Sequence, residues 1–490
     1  GGADWVASAG KMICAAGRGD DWQKLVRPGT QVIDARGGTV LPGFIDNHFH
    51  VMQTAVNMMS VDLGGARSHR ELGEMLAAAE KREGAVLGCQ VEESQFEEKR
   101  FPDRYVLDKY CSDSPVVLFS KEYHVSMLNT HALLYYKVPF SLEGVELDGS
   151  GLPTGIFRRN ANYVLRSNVL RSLPDEFRME AIHLAMSRLL ENGITTVAAI
   201  EGGWLFDDRD AEFIYAHSGE FPVDMPLFYQ TMDLAKVWKL GLRRVGGNIM
   251  VDGTLSSHSA ALSAPYADRP DYRGQIFLPQ DGLDEFVQQC YRQDMQLALY
   301  SIGDRAIESV LLAHERAIRQ GGSTALRHRI EHAIMATPEQ IARAADMKLI
   351  FSVQPAYAYL WGGKGGMYER RMGERYLRSN DFAAMFAAGA VVCGGSDSDV
   401  TEPRPMLGIH AAVNRAVPRC AVSVEQAIEM YTVNGAYALF EDKRKGKLAP
   451  GYLADIVVLD RDIRAAPAEQ LEQTDVTVTI KSGSVLHSRQ

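Results

Sequence analysis

Through the middle of the chain, strand-like apolar runs alternate with helix-like stretches, the pattern of a parallel sheet with helical crossovers. The strand candidates are Phe44–His50, Pro115–Ser120, Gly193–Ile200, Pro226–Thr231, Gly247–Gly253, Gln296–Gly303, His328–Ala333, Lys348–Pro355 and Ala390–Ser396. That is nine candidates for the eight slots of a (β/α)8 barrel. Residues 52 to about 165 are too long for one crossover, so they are expected to be an insertion after the first strand, with Pro115–Ser120 the surplus strand. Helix starts fall in the intervals. Thr337-Pro338-Glu339-Gln340 supplies an N-cap, a proline at the first helical position and Gln three residues on, and Ser423-Val424-Glu425-Gln426 is a second capping box.

The two ends have a different texture. Trp5 to Gly17, Gln31–Asp34 and Gly37–Leu41 are short strand-like runs broken by glycine, and Asp455–Leu459 and Val476–Gly483 repeat the pattern. The expected architecture is therefore α/β: a TIM-type barrel over residues 43–442, and a composite β-sandwich from 1–42 and 443–490.

Composition narrows the partners. The chain has 490 residues, 46% hydrophobic and 23% charged, with a net charge of −10. Nucleic acid and anionic membrane both demand basic surface, so a small-molecule substrate is the better expectation. No apolar run reaches the ~18 residues of a membrane span. Cys14, Cys89, Cys111, Cys290, Cys393 and Cys420 are scattered without paired spacing, which suggests reduced thiols and a cytoplasmic protein. Oligomeric state is not legible, and a homo-oligomer is compatible with the sequence. The chain starts Gly-Gly with no Met, an entry expected to lie one strand late.

The chemistry is expected at the C-terminal ends of the barrel strands. In Leu41–Val51 an apolar run follows Pro42-Gly43, and residues two apart on a strand face one way, so His48 and His50 project together as a pair of imidazole ligands. Other polar residues at the same rim are Asn248 and Asp252, Tyr300 and Asp304, His332, and Asp397 with Asp399. Taken singly, His332 reads as a hydrogen-bonded core histidine and Asp397 as a turn or N-cap aspartate. Three imidazoles and a carboxylate at one rim make a plausible zinc set with room for water.

The runs PGFIDNHFH, VDGTLSSHSAAL (Val251–Leu262), SIGDRAI (Ser301–Ile307), RHRIEHA (Arg327–Ala333), GSDSDV (Gly395–Val400) and GKLAPGYLADIVVLD resemble the amidohydrolase superfamily, in the branch that contains N-substituted formamide deformylase. The resemblance implies a metal-dependent hydrolase with a barrel and a composite β-sandwich. It also marks departures. Asn248 stands where the branch has a metal-bridging carboxylated lysine, Tyr300 where it has a histidine, His258 where it has an arginine, and Arg159 in an acidic place. Asn cannot be carboxylated and neutral Tyr is a poor ligand, so one divalent metal, zinc, is expected rather than two.

His48, His50, His332 and Asp397 are the expected ligands. Asp397 is expected to act as general base and then acid, His332 to complete the metal shell or stabilise the oxyanion, and Tyr300 to hydrogen-bond the substrate carbonyl. His124 matches a histidine common in the branch and is expected, with Asn248, Asp252 and Trp361, to face substrate. Trp361 lies in Tyr357–Gly366, read as an aromatic-lined lid, and His328 is expected to be structural. The reaction expected is hydrolysis of a non-peptide carbon–nitrogen bond in an amide, formamide or cyclic amide. A deaminase or decarboxylase on the same fold, or a metal-free binding protein, are the alternatives.

Overall fold

The computed structural model describes residues 2–79, 85–121, 123–203 and 207–489. They form two compact units, one of residues 1–49, 186–200 and 215–490, the other of 50–185 and 201–214.

An eight-stranded sheet dominates the first unit. In chain order its strands are β1 (Phe44–Phe49), β2 (Ile194–Glu201), β3 (Leu227–Tyr229), β4 (Arg244–Met250), β5 (Gln296–Ser301), β6 (Arg329–His332), β7 (Ile350–Val353) and β8 (Val392–Gly394). Each neighbours the next, and a parallel bridge between Phe49 and Ser398 brings the last strand end back to the first. This is the expected TIM-type barrel, and eight of the nine candidates fill its slots. β4 starts earlier than expected, because the pattern was broken by Gly246 and Gly247. There the ladder to β5 shifts register, and both residues have positive φ, 90° and 103°. A Cβ on Gly246 would lie 2.1 Å from the Ala298 carbonyl oxygen.

The crossover helices have the capping predicted for them. Thr337 and Gln340 form a reciprocal capping box on the helix Pro338–Asp346, as do Ser423 and Gln426 on Val424–Met430. Each satisfies two main-chain donors that a helix start leaves open.

The chain ends of this unit form two antiparallel sheets. One pairs Trp5–Ala9 with Met12–Gly17; the other has the order Ser484–Ser488, Val476–Lys481, Ile456–Leu459, Val40–Pro42. Ile13, Ala454 and Ile456 share one apolar cluster with Val40 and Ile480. Gln31–Asp34, expected as a strand, is irregular, and Val32 is exposed. Strand propensity without a partner ladder or a face to bury does not suffice.

The second unit contains the surplus strand. Val116–Ser120 sits within a six-stranded mixed sheet, in the order Val61–Asp62, Val86–Val91, Val116–Ser120, Val125–Leu128, Pro153–Arg158, Val145–Leu147. Leu72, Leu76, Leu107, Leu118 and Met127 build its core. All six cysteines are free. Among the described residues no helix is long and apolar enough to cross a membrane.

Candidate active site

β1 is buried along its whole length and delivers His48 at its end; His50, one residue past it, is extended and is the N-cap residue of the helix Val51–Met59. Asp397 follows β8. Its amide donates to the His48 carbonyl (2.9 Å), and its own φ of 53° turns the side chain away from the strand direction. Gly395 permits this approach, since a Cβ there would meet the His48 nitrogen at 2.6 Å. The Asp46 carboxylate ties the same two strand ends by accepting from the amides of His48 (3.2 Å) and Ser396 (2.9 Å). Among the described residues, His48, His50 and Asp397 are the group whose donor atoms all lie within 4.8 Å of one another, and all three are buried. Two imidazoles and a carboxylate suit a borderline-soft divalent metal such as zinc.

His48 is oriented from below. Its Nδ1 lies 2.7 Å from Glu331 Oε2, and the other Glu331 oxygen accepts from Arg329 Nε at 2.7 Å. Arg329 Nη2 also donates to the Asn47 carbonyl (2.5 Å) and to Ser352 Oγ (2.8 Å). Burial alone would raise the Glu331 carboxyl, but the Arg329 guanidinium and the His48 bond outweigh it and hold it down at about 2. An ionised carboxylate only accepts, so Nδ1 carries the proton. The Nε2 lone pair then faces Asp397 Oδ1, 3.4 Å away.

His332 ends β6 with φ at 69°, a strained conformation of the kind that persists where surrounding structure imposes it. Its ring centroid is 5.1 Å from that of His48 and 4.3 Å from that of Tyr300, and its Nε2 is 4.0 Å from Asp397 Oδ2. It borders the His48–His50–Asp397 group but does not belong to it. Burial, partly offset by the Asp397 charge, lowers its pKa to about 4, so the ring is neutral near pH 7. Tyr300 is buried on β5, where it pairs with Glu331.

The other expected site residues are placed differently. Asn248 lies on β4, and its carbonyl accepts from Gln230 Nε2 at 3.1 Å. Asp252 is fully buried, and its two oxygens accept three main-chain amides, from Ala261, Ile302 and Gly303, at 2.7–2.9 Å. It pins the loops after β4 and β5. Burial outweighs those bonds and raises its pKa to about 7. Trp361 ends the helix Pro355–Trp361, with its ring edge-on to Tyr357 at 4.6 Å. The first half of the expected lid is thus helical, started by Pro355 at its first position. His124 belongs to the second unit, where burial and then the Arg166 charge lower it to about 4. His328 is buried and accepts from the Leu297 amide at 3.0 Å, the structural role expected of it.

Three residues around these groups have roles there that the sequence did not assign. Glu331 and Arg329 had a signal, opposite charges two apart and so on the same face of one strand. Tyr357 was legible only as part of an aromatic lid, and its hydroxyl donates to Asp397 Oδ2 at 2.5 Å because the fold brings the two together.

Residues 31–487 match the profile of the amidohydrolase family. The chain is 27% identical over 524 residues to N-substituted formamide deformylase of Arthrobacter pascens, covering 99% of this chain and 95% of that protein. It is 28% identical over 497 residues to the protein LONG AFTER FAR-RED 3 of Arabidopsis thaliana, covering 93% and 84%. Among solved structures, an uncharacterized metal-dependent hydrolase from Pyrococcus furiosus superposes with a TM-score of 0.78 at 26% identity, covering 93% of this chain and 95% of that one.

Proposed function

Because this chain belongs to the amidohydrolase family, a family of metal-dependent hydrolases, we propose that it hydrolyses a non-peptide carbon–nitrogen bond of a small molecule, an amide, formamide or cyclic amide, with one zinc ion. The observation that carries the reading is the buried His48–His50–Asp397 group, with Glu331 turning the His48 Nε2 lone pair toward it. A divalent metal there would acidify a water and polarise the scissile carbonyl. His48, His50 and Asp397 would hold it, and His332 stands beside them to complete the shell or to stabilise the oxyanion.

Asp397 takes a proton from the attacking water and returns it to the departing nitrogen, as a general base and then acid. Tyr300, adjacent to His332, donates a hydrogen bond to the substrate carbonyl. Asn248 and Tyr300 stand at two places where the family supplies ligands, and His48, His50 and Asp397 form the one such group among the described residues, which is why one metal is proposed.

Those same two substitutions favour a second reading, a binding protein without metal. Elemental analysis after exchange into metal-free buffer, followed by a screen of formamides, acylated amines and cyclic amides, separates the two. About one equivalent of zinc with turnover of one substrate class is the expected outcome. Two equivalents would remove the mononuclear claim. No metal after zinc supplementation, with no turnover, would leave the binding protein.

A further inference from the structure

Resting on the metal-site reading above, we infer that Tyr357 is a positioning residue that divides the labour of the two Asp397 oxygens. The helix Pro355–Trp361 leaves β7 with proline at its first turn, which places Tyr357 over the rim. The residue is buried. Its hydroxyl donates to Asp397 Oδ2 at 2.5 Å, and its ring lies nearly parallel to His332, at 22° and 6.1 Å between centroids. The other carboxylate oxygen, Oδ1, is the one facing His48 Nε2 at 3.4 Å. One oxygen is therefore held by a phenol while the other is turned to the imidazole that Glu331 orients.

A carboxylate has a soft terminal torsion, and a hydrogen bond to one of its oxygens narrows the range of rotations. Asp397 sits just past a three-residue strand with φ at 53°, its amide bonded to the His48 carbonyl, and the phenol adds a restraint on the side chain itself. A charge-assisted hydrogen bond from a buried hydroxyl is among the stronger ways to remove that freedom. Facing a carboxylate oxygen, which has no proton to give, the phenol is the donor of this bond. Trp361, edge-on to Tyr357 at 4.6 Å, completes the aromatic support.

A double-mutant cycle of Tyr357→Phe and Asp397→Asn tests the inference, with the dissociation constants of Zn2+ and Co2+ and the visible spectrum of the cobalt form as readouts. Tyr357→Phe is expected to weaken metal binding by roughly tenfold, as removal of an outer-shell partner does, and to alter the cobalt spectrum. In the Asp397→Asn background the same change should cost less than about twofold, since the carboxylate it organises is gone. Tyr357→His, which keeps a ring and an N–H donor, should fall between wild type and Phe, and it replaces Phe in the cycle if the Phe variant does not fold. Equal losses in both backgrounds would overturn the inference, because Tyr357 would then act through packing alone. So would wild-type affinity and an unchanged spectrum in Tyr357→Phe, which would leave the metal site itself standing. Absence of metal binding by the wild-type protein would remove both.

Discussion

Two pairs of buried histidines in this protein have the same separation, 5.1 Å between ring centroids, and different surroundings. At the rim, His48 and His332 adjoin Glu331 and Asp397. In the other pair, His314 receives or gives a hydrogen bond at Tyr291 (3.0 Å), and His328 accepts from the Leu297 amide. No carboxylate enters this second pair's electrostatics: burial lowers His314 to about 3, and burial together with His314 lowers His328 well below its ordinary value. Proximity of imidazoles therefore does not make a site. A carboxylate fixes one ring nitrogen as a donor, which leaves the other as a directed lone pair, and of these two pairs the one at the rim has that.

The largest effect is expected at the rim's own carboxylate. Asp397→Asn preserves shape but cannot carry the proton, so kcat should fall by ~10²-fold or more, with substrate affinity largely kept. His48→Ala or His50→Ala should instead lose the metal. Steady-state kinetics with metal content measured on each variant distinguishes these. Near wild-type turnover in Asp397→Asn would remove the proton-transfer role.

Glu331→Gln breaks the element that sets the two pairs apart. It leaves the fully buried Arg329 guanidinium without its counter-charge, and removing one partner of a buried ion pair typically costs ~3–5 kcal/mol. Metal affinity should fall by ~10–100-fold as well, because His48 loses its orienting partner. Chemical denaturation and zinc titration measure the two effects. An unaltered zinc affinity would mean that the imidazole is held by packing.

The second pair should reveal itself in acid. Both rings have folded pKa values below the unfolded reference of 6.5, so the stability they contribute is present above that pH and is lost as pH falls toward the folded values. The slope is at most ~1.4 kcal/mol per pH unit for each group. Glu201 and Asp252, raised to about 8 and about 7, act with the opposite sign over part of the range. The useful quantity is hence the difference from wild type. His314→Phe should make the fall in stability between pH 6.5 and pH 4.5 shallower by up to ~1.4 kcal/mol per unit. Parallel curves for variant and wild type would show that His314 titrates normally.

The smallest effect is expected from restoring the family's residues. Asn248→Lys with Tyr300→His should recruit metal above one equivalent at most, without raising turnover. A several-fold gain in activity on the native substrate would instead identify the natural protein as a binuclear enzyme that has lost ligands.

Much of this protein was determined by local sequence. Strand and helix periods, proline and glycine breaks and capping boxes depend on neighbours a few residues apart, so all eight barrel strands and both capping boxes could be read, and with them His48, His50, His332 and Asp397 as rim residues. Motif resemblance then joined these into one family. Local pattern misled where an element needs a distant partner, as at Gln31–Asp34, and where glycines break a strand's apolar run without ending it, as at Gly246 and Gly247. Tertiary structure alone decided which rim residues meet. It gave Asp252 to three main-chain amides, set His332 Nε2 4.0 Å from Asp397 Oδ2, and brought Glu331 under His48 from 283 residues away and Tyr357 onto Asp397 from 40. Those contacts join groups far apart in the chain. Their geometry is fixed by barrel closure and backbone strain at His332 and Asp397, neither of which leaves a periodic trace in the chain.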